Sequence, residues 1–560
     1  MPLETTPGAG APLLQVRDMA VDFETIDGTV HAVEGVDLDI AAGETVAIVG
    51  ESGSGKSTTA MAIIGLLAGN GRVSAGSIRL DGQELVGASE ATMRSVRGAE
   101  IGLVPQDPMS NLNPTSKIGT QVAETLLAHG LATKKDVDEK VVETLAAAGL
   151  PNAADRAKQY PHEFSGGMRQ RALIAIGLAC NPRLLIADEP TSALDVTVQK
   201  TILDQLDRMT TELGTSVLLI THDLGLAAER ASRVVVMHRG RIVEQGPARQ
   251  ILESPQHPYT QSLVQAAPSV AVARLRPEAF AAPSSAGDAA TSAPAASARD
   301  NIVEVEDLTK LYKVRGQKDD FAAVKDVSFA IPRGRTVAIV GESGSGKTTT
   351  ARMMLKVVEP TNGIIRFDGV DVASLKGREL REFRQKVQPI FQDPYSSLNP
   401  MFTIERIIAE PLEFYKRGSA KERAARVRKL LDDVALPEST LRRYPSELSG
   451  GQRQRVAIAR ALALSPELIV CDEPVSALDV LVQDQILTLL RDLQNEYGLS
   501  YLFISHDLAV VRLISDYVCV MKDGQLVEAA SSEEIFTNPR DPYTRNLLAS
   551  IPGNELDIAV

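Results

Sequence analysis

What this sequence has little of already narrows its function. Three cysteines in 560 residues, Cys180, Cys471 and Cys519, cannot build a disulfide framework, and no two of them form a C-x-x-C pair. A reducing compartment is expected, with the three thiols acting as small buried hydrophobes. No uncharged apolar run approaches the ~18 residues that a membrane-spanning helix needs. The opening segment, MPLETTPGAGAPLL, lacks the basic start and apolar core of a secretory signal. Any membrane role would therefore need a partner. Positive charge is also in deficit: 59 Lys and Arg against 72 Asp and Glu leave a net charge of −13, which makes nucleic acid a poor partner.

What is present is length and repetition. The chain is about four times the ~150 residues of an ordinary domain, and its 44% hydrophobic content can fill large cores. Gly50-Glu51-Ser52-Gly53-Ser54-Gly55-Lys56-Ser57 recurs 291 residues later as Gly341-Glu342-Ser343-Gly344-Ser345-Gly346-Lys347-Thr348. Ser165/Ser449, Asp188/Asp472, His222/His506 and Pro258/Pro542 then recur at a common offset of 284. A period this long marks a duplicated domain rather than a solenoid. The expected boundaries are 13–265 and 301–551, joined by 266–300. Residues 281–298 of that connection contain only Ala, Pro, Ser, Thr, Gly and one Asp, which suits a flexible tether reaching roughly 60 Å at full extension.

Each half reads as α/β. An apolar, β-branched run (45–49 and 336–340) enters the glycine loop, and later runs at 184–187, 216–220 and 234–237, or 468–471, 501–504 and 518–521, alternate with helical stretches. Such continuous runs suit a mainly parallel sheet covered on both faces.

Three motifs carry chemistry. The G-x-x-x-x-G-K-[ST] loop between strand and helix is the P-loop pattern, whose glycines let backbone N–H groups face a phosphate. Its lysine, Lys56 or Lys347, places a charge on the β- and γ-phosphates, and Ser57 or Thr348 offers a hydroxyl to Mg²⁺. The second motif is an apolar strand ending in two acids, Asp188-Glu189 and Asp472-Glu473. The first acid suits Mg²⁺ through its water shell, and the second suits orienting or deprotonating an attacking water. His222 and His506 follow the next strand and could contact the γ-phosphate or that water. The third motif, Phe164-Ser165-Gly166-Gly167-Met168-Arg169 and Leu448-Ser449-Gly450-Gly451-Gln452-Arg453, opens a helix on a serine and two glycines, a second phosphate-binding pattern.

That third motif resembles the signature of ABC ATPases, lying between a P-loop with its Gln106 or Gln392 loop and the acid-ended strand. Ser192-Ala193-Leu194-Asp195 and Ser476-Ala477-Leu478-Asp479 resemble the D-loop of the same family. Within that family, the run Gln392-Asp393-Pro394-Tyr395-Ser396-Ser397-Leu398-Asn399-Pro400, Arg443-Tyr444-Pro445 and His257-Pro258-Tyr259-Thr260 are similar to ATPase subunits of dipeptide, oligopeptide and nickel importers, here two in one chain.

The resemblance implies two tandem nucleotide-binding domains, each with a RecA-like, mainly parallel core, a β-rich N-terminal part and a helical signature subdomain. It implies ATP with Mg²⁺, the metal near Ser57, Gln106 and Asp188 or Thr348, Gln392 and Asp472, with Glu189, Glu473, His222 and His506 catalytic. ATP would contact Gly50, Ser52, Gly53, Ser54, Gly55, Lys56, Ser57, Thr58 and Gln106, and equally Gly341, Ser343, Gly344, Ser345, Gly346, Lys347, Thr348, Thr349 and Gln392. Phe23 and Tyr312 take the place of the adenine-stacking aromatic. The halves would pair head to tail within one chain, bringing Ser165, Gly166, Gly167 and Met168 to one site and Ser449, Gly450, Gly451 and Gln452 to the other. Residues 106–115 and 392–403 would sense nucleotide and grip permease helices.

The implied partners are two membrane-spanning permease subunits and an extracytoplasmic solute-binding protein, with the ATPase peripheral on the cytoplasmic face of the inner membrane. Peptides lead as cargo, with nickel, glutathione and oligosaccharides as alternatives. A soluble tandem ATPase acting on ribosomes or DNA is the rival, disfavoured by the Ala/Pro/Ser tether and few cysteines. No iron–sulfur cluster is expected, since residues 261–300 hold no cysteine.

Overall fold

Thr45-Val46-Ala47-Ile48-Val49 and Thr336-Val337-Ala338-Ile339-Val340 become central strands because they can be buried on both faces. The computed structural model describes residues 12–26, 28–191, 194–268, 301–313, 320–476 and 478–553. The chain divides into two units near residue 274, and each repeats one architecture.

In the first unit β1 (Leu14–Thr25), β2 (Gly28–Ile40), β4 (Gly71–Leu80) and β5 (Gln83–Glu84) form an antiparallel sheet in the order β2-β1-β4-β5. A second sheet runs β10-β9-β3-β8-β7-β6, from β3 (Thr45–Val49), β6 (Ile101–Val104), β7 (Leu184–Asp188), β8 (Ser216–Thr221), β9 (Arg233–His238) and β10 (Arg241–Pro247). It is parallel except for the β9–β10 hairpin. One core, with Leu14, Met19, Ile40, Ile48, Ile63, Ile186 and Leu218 all buried, joins the two sheets across the P-loop helix Lys56–Ile63.

The second unit repeats this plan. Its antiparallel sheet is β12-β11-β14-β15, from β11 (Asn301–Tyr312), β12 (Phe321–Pro332), β14 (Asn362–Phe367) and β15 (Val370–Asp371). Its mainly parallel sheet is β16-β17-β18-β13-β19-β20, from β13 (Thr336–Val340), β16 (Val387–Ile390), β17 (Leu468–Asp472), β18 (Ser500–Ser505), β19 (Tyr517–Lys522) and β20 (Gln525–Ser531). In each unit a helical stretch between the edge strand and the acid-ended strand culminates in a signature helix, Gly166–Leu178 or Gly450–Leu462.

Ala266, placed in the tether by sequence, ends the helix Pro258–Ala266 and is buried, while 269–300 lie outside the described residues. Cys471 and Cys519 are buried in strands, and burial pushes the Cys519 thiol up to about 12. Cys180 differs: it is only partly buried, because it leaves the signature helix into a turn instead of entering the sheet.

Candidate active site

The P-loop has its shape because two of its glycines cannot be replaced. Gly50 has φ +153°, and a Cβ there would lie 2.2 Å from the Met237 carbonyl oxygen. Gly55, at φ +101°, is the N-cap of the helix Lys56–Ile63, and no side chain caps that helix. A helix N-terminus presents backbone N–H groups that have no intrahelical acceptor, which is what a phosphate cradle uses. The second unit repeats the geometry, with φ +151° at Gly341 and a Cβ contact of 2.1 Å to the Met521 oxygen, and Gly346 as N-cap. Lys56 and Lys347 are each 6% exposed. Lys56 Nζ donates to the carbonyls of Gly50 (2.7 Å) and Glu51 (2.8 Å), and Lys347 Nζ to those of Gly341 (2.8 Å) and Glu342 (2.7 Å). The hydroxyls of Ser54 and Ser345 are buried without a hydrogen-bond partner in the protein, so a polar ligand in the cradle would satisfy them.

Around this cradle the structure gathers four further groups from neighbouring strand ends. Ser57 Oγ donates to Asp188 Oδ1 at 3.1 Å, and Thr348 Oγ1 to Asp472 Oδ1 at 3.3 Å. A hydroxyl beside a carboxylate is a hard oxygen set that fits Mg²⁺, which keeps most of its waters. Gln106 Nε2 donates to Glu189 Oε2 at 2.9 Å, and Gln392 Nε2 to Glu473 Oε2 at 2.8 Å. His222 Nδ1 is 3.4 Å from Glu189 Oε2, and His506 Nδ1 is 3.2 Å from Glu473 Oε2. An aspartate follows each histidine and fixes the start of the next helix. Asp223 caps the helix Leu224–Arg230 and Asp507 caps Leu508–Ile514, each carboxylate accepting from two backbone amides.

Both glutamates sit in left-handed backbone, φ +44° at Glu189 and +48° at Glu473. Such a conformation is sparsely populated by residues other than Gly, Asn and Asp, and it clusters at functional sites. Burial raises Asp188 and Asp472 above the ordinary aspartate value, aided by the neighbouring glutamate. For Glu189 and Glu473 burial also pushes upward, but the histidine contact, the P-loop lysine and the glutamine outweigh it, and both carboxyls lie below their usual value. His222 and His506 are pulled down by burial and raised more strongly by the same glutamates, for a net rise. Each histidine and glutamate thus favours the charged form of the other, and the carboxylate is ionised near neutral pH.

The signature residues form helix N-termini. Ser165 Oγ accepts from Met168 N at 3.4 Å, and Ser449 Oγ from Gln452 N at 3.3 Å. Only the second has a complete capping box, since Gln452 Oε1 also accepts from Ser449 N at 3.1 Å, which a methionine cannot do. Ser192, Ala193 and Ala477 of the D-loops lie outside the described residues, while Asp195 caps the helix Val196–Leu213.

Phe23 and Tyr312 lie on strands of the antiparallel sheets, not on the strands that carry the acids. The Phe23 ring fills space over Gly71 of β4, where a Cβ would meet Phe23 Cε1 at 2.5 Å. Tyr312 is exposed, with Lys310 Nζ 5.2 Å from its ring centroid. Sequence reasoning gave no role to Tyr259 or Tyr543. Their hydroxyls accept from the P-loop amides of Glu51 (3.0 Å) and Glu342 (3.1 Å), and the available signal was recurrence of the Pro-Tyr-Thr segment at offset 284.

Residues 33–192 and 324–476 match the family described as ABC transporter, and 243–287 and 527–558 match the oligopeptide/dipeptide transporter, C-terminal region. The chain is 43% identical to the glutathione import ATP-binding protein GsiA of Pectobacterium atrosepticum, over 96% of this chain and 89% of that protein. It is 42% identical to the oligopeptide transport ATP-binding protein OppD of Mycobacterium tuberculosis, over 97% of this chain and 98% of that protein. Two family matches over two duplicated phosphate cradles, with full-length relatives, place this chain in the ABC transporter family as a tandem, ATP-binding transport ATPase.

Proposed function

We propose that the chain is the motor of an importer for short peptides, hydrolysing ATP at two composite sites formed when its units close head to tail. One observation carries the reading most: each unit joins a P-loop and an acid-ended strand to the C-terminal region that is described for oligopeptide and dipeptide transporters. Lys56 and Lys347, with the helix amides behind them, hold the triphosphate. Glu189 and Glu473 accept a proton from the attacking water, and His222 and His506 orient those carboxylates beside it. Gln106 and Gln392 restrain the same carboxylates until nucleotide draws them away. Bound Mg²⁺, held by Ser57, Gln106 and Asp188 or Thr348, Gln392 and Asp472, would neutralise phosphate charge.

Closure places Ser449–Gln452 over the first P-loop and Ser165–Met168 over the second, so a second helix terminus stabilises phosphate charge only in the closed state. Phe23 and Tyr312 stack on adenine. No helix among the described residues is long and apolar enough to cross a membrane, so two membrane-spanning permease subunits carry the solute and an extracytoplasmic binding protein delivers it. The ATPase sits on the cytoplasmic face of the inner membrane. A second reading, glutathione as the cargo, is favoured by the GsiA relative. Co-purification of the intact complex, with mass spectrometry of the ligand on its binding protein, separates the two. Recovery with ribosomes or DNA and no membrane protein would overturn both.

A further inference from the structure

The peptide unit between Gly50 and Glu51 is gripped at both ends. Its carbonyl accepts from Lys56 Nζ at 2.7 Å, and its N–H donates to the hydroxyl of Tyr259, 208 positions away, at 3.0 Å. In the second unit the Gly341 carbonyl accepts from Lys347 Nζ at 2.8 Å, and the Glu342 N–H donates to Tyr543 at 3.1 Å. Neither tyrosine is free to swing. The Tyr259 N–H donates to His257 Nδ1 at the start of the helix Pro258–Ala266, and the Tyr543 N–H to Asp541 Oδ1 at the start of Pro542–Ala549.

Those helix starts are in turn held to the hairpin strands. Glu244 of β10 accepts from the amides of Gln256 and His257, and Glu528 of β20 from those of Arg540 and Asp541. The far side of each ring is covered as well. His238, at the end of β9, lies 4.0 Å from Tyr259 between centroids, and Lys522, at the end of β19, sits 4.9 Å from the Tyr543 centroid. Two units with different covering residues thus keep the same tyrosine-to-P-loop contact.

We propose that Tyr259 and Tyr543 are positioning residues for the P-loop lysines, and that through them the C-terminal region of each unit sets that unit's affinity for the triphosphate. An N–H engaged by an acceptor polarises its peptide and strengthens the carbonyl at the other end as a partner for the ammonium. The hydroxyl also fixes the plane of that peptide, and with it the direction from which Lys56 or Lys347 meets the phosphates. The inference rests on the proposed ATPase function.

The test uses the full chain carrying Tyr259→Phe or Tyr543→Phe, which keeps the ring and removes only the hydroxyl. In nucleotide-free protein, amide exchange should accelerate in the P-loop peptide of the substituted unit and not in the other. Affinity for a fluorescent ATP analogue should weaken about 3- to 10-fold at that unit's site, the loss of one neutral hydrogen bond, with KM rising by more than kcat falls. Unchanged exchange and unchanged nucleotide affinity would overturn the proposal, as would a fall in kcat with KM untouched. If the wild-type chain itself neither bound nor hydrolysed ATP, the ATPase reading would fall and this inference with it, whatever the variants did.

Discussion

Gly451 stands so close to Val482 that a Cβ placed on it would lie 2.3 Å from the valine Cγ1. The second signature glycine is therefore fixed by packing against the helix Val480–Tyr497 before any phosphate is considered. Gly167 has the same relation to Val198, at 2.7 Å. Gly451→Ala should destabilise the second unit by about 1–3 kcal/mol, the usual effect of overpacking. Val482→Ala in the same chain should recover part of that loss. Denaturant unfolding of the two variants checks this, and wild-type stability in Gly451→Ala would mean that the helices separate freely.

The incomplete capping box at the first signature gives a gain-of-stability test. Met168→Gln supplies the carboxamide that Gln452 provides in the other unit, and should stabilise the helix Gly166–Leu178 by about 0.5–1 kcal/mol. Gln452→Met should lose a similar amount. Thermal unfolding of the pair reads both signs, and equal shifts in the same direction would contradict the capping account.

Removing the charge of the proposed bases should separate binding from turnover. Glu189→Gln with Glu473→Gln should lower phosphate release by about 10²- to 10⁴-fold, the usual contribution of a positioned base. ATP should stay bound, because the P-loop donors are untouched. Rapid hydrolysis by the double variant would remove the glutamates from the mechanism.

The His–Glu pairs also make a pH prediction for the nucleotide-free chain. His222 and His506 lie above their ordinary 6.5, so their stabilisation is complete below that pH and is lost as pH rises through the raised folded values. Glu189 and Glu473 lie below their ordinary 4.5, so their share is complete above that pH and is lost only on further acidification. Stability from the pairs is therefore greatest between 4.5 and 6.5 and should decline as pH rises beyond 6.5. The Glu→Gln double variant should lose that slope, and ring-proton NMR should place its two histidines at lower titration midpoints than in wild type.

What could be read in advance was whatever is written in consecutive residues. The P-loops, the acid-ended strands and the Ser-Gly-Gly helix starts are local patterns, and the apolar runs that enter them are strands of the two mainly parallel sheets. Contacts that fold back over long spans were out of reach. The Gln106–Glu189 bond spans 83 positions and the Tyr259–Glu51 bond 208, and no periodicity encodes either. Phe23 has a neighbour that its sequence position did not announce. A β-strand aromatic carries no signal of what it packs on, and the ring of Phe23 covers Gly71 on the neighbouring strand.

The left-handed turn at Glu189 and Glu473 sets what evolution or engineering can place there. Glycine or asparagine would enter that bend with less strain, whereas valine or isoleucine would fight it through the branched carbon next to the main chain. A library screened solely for heat resistance should therefore drift away from the acid at both positions, shedding turnover as it hardens.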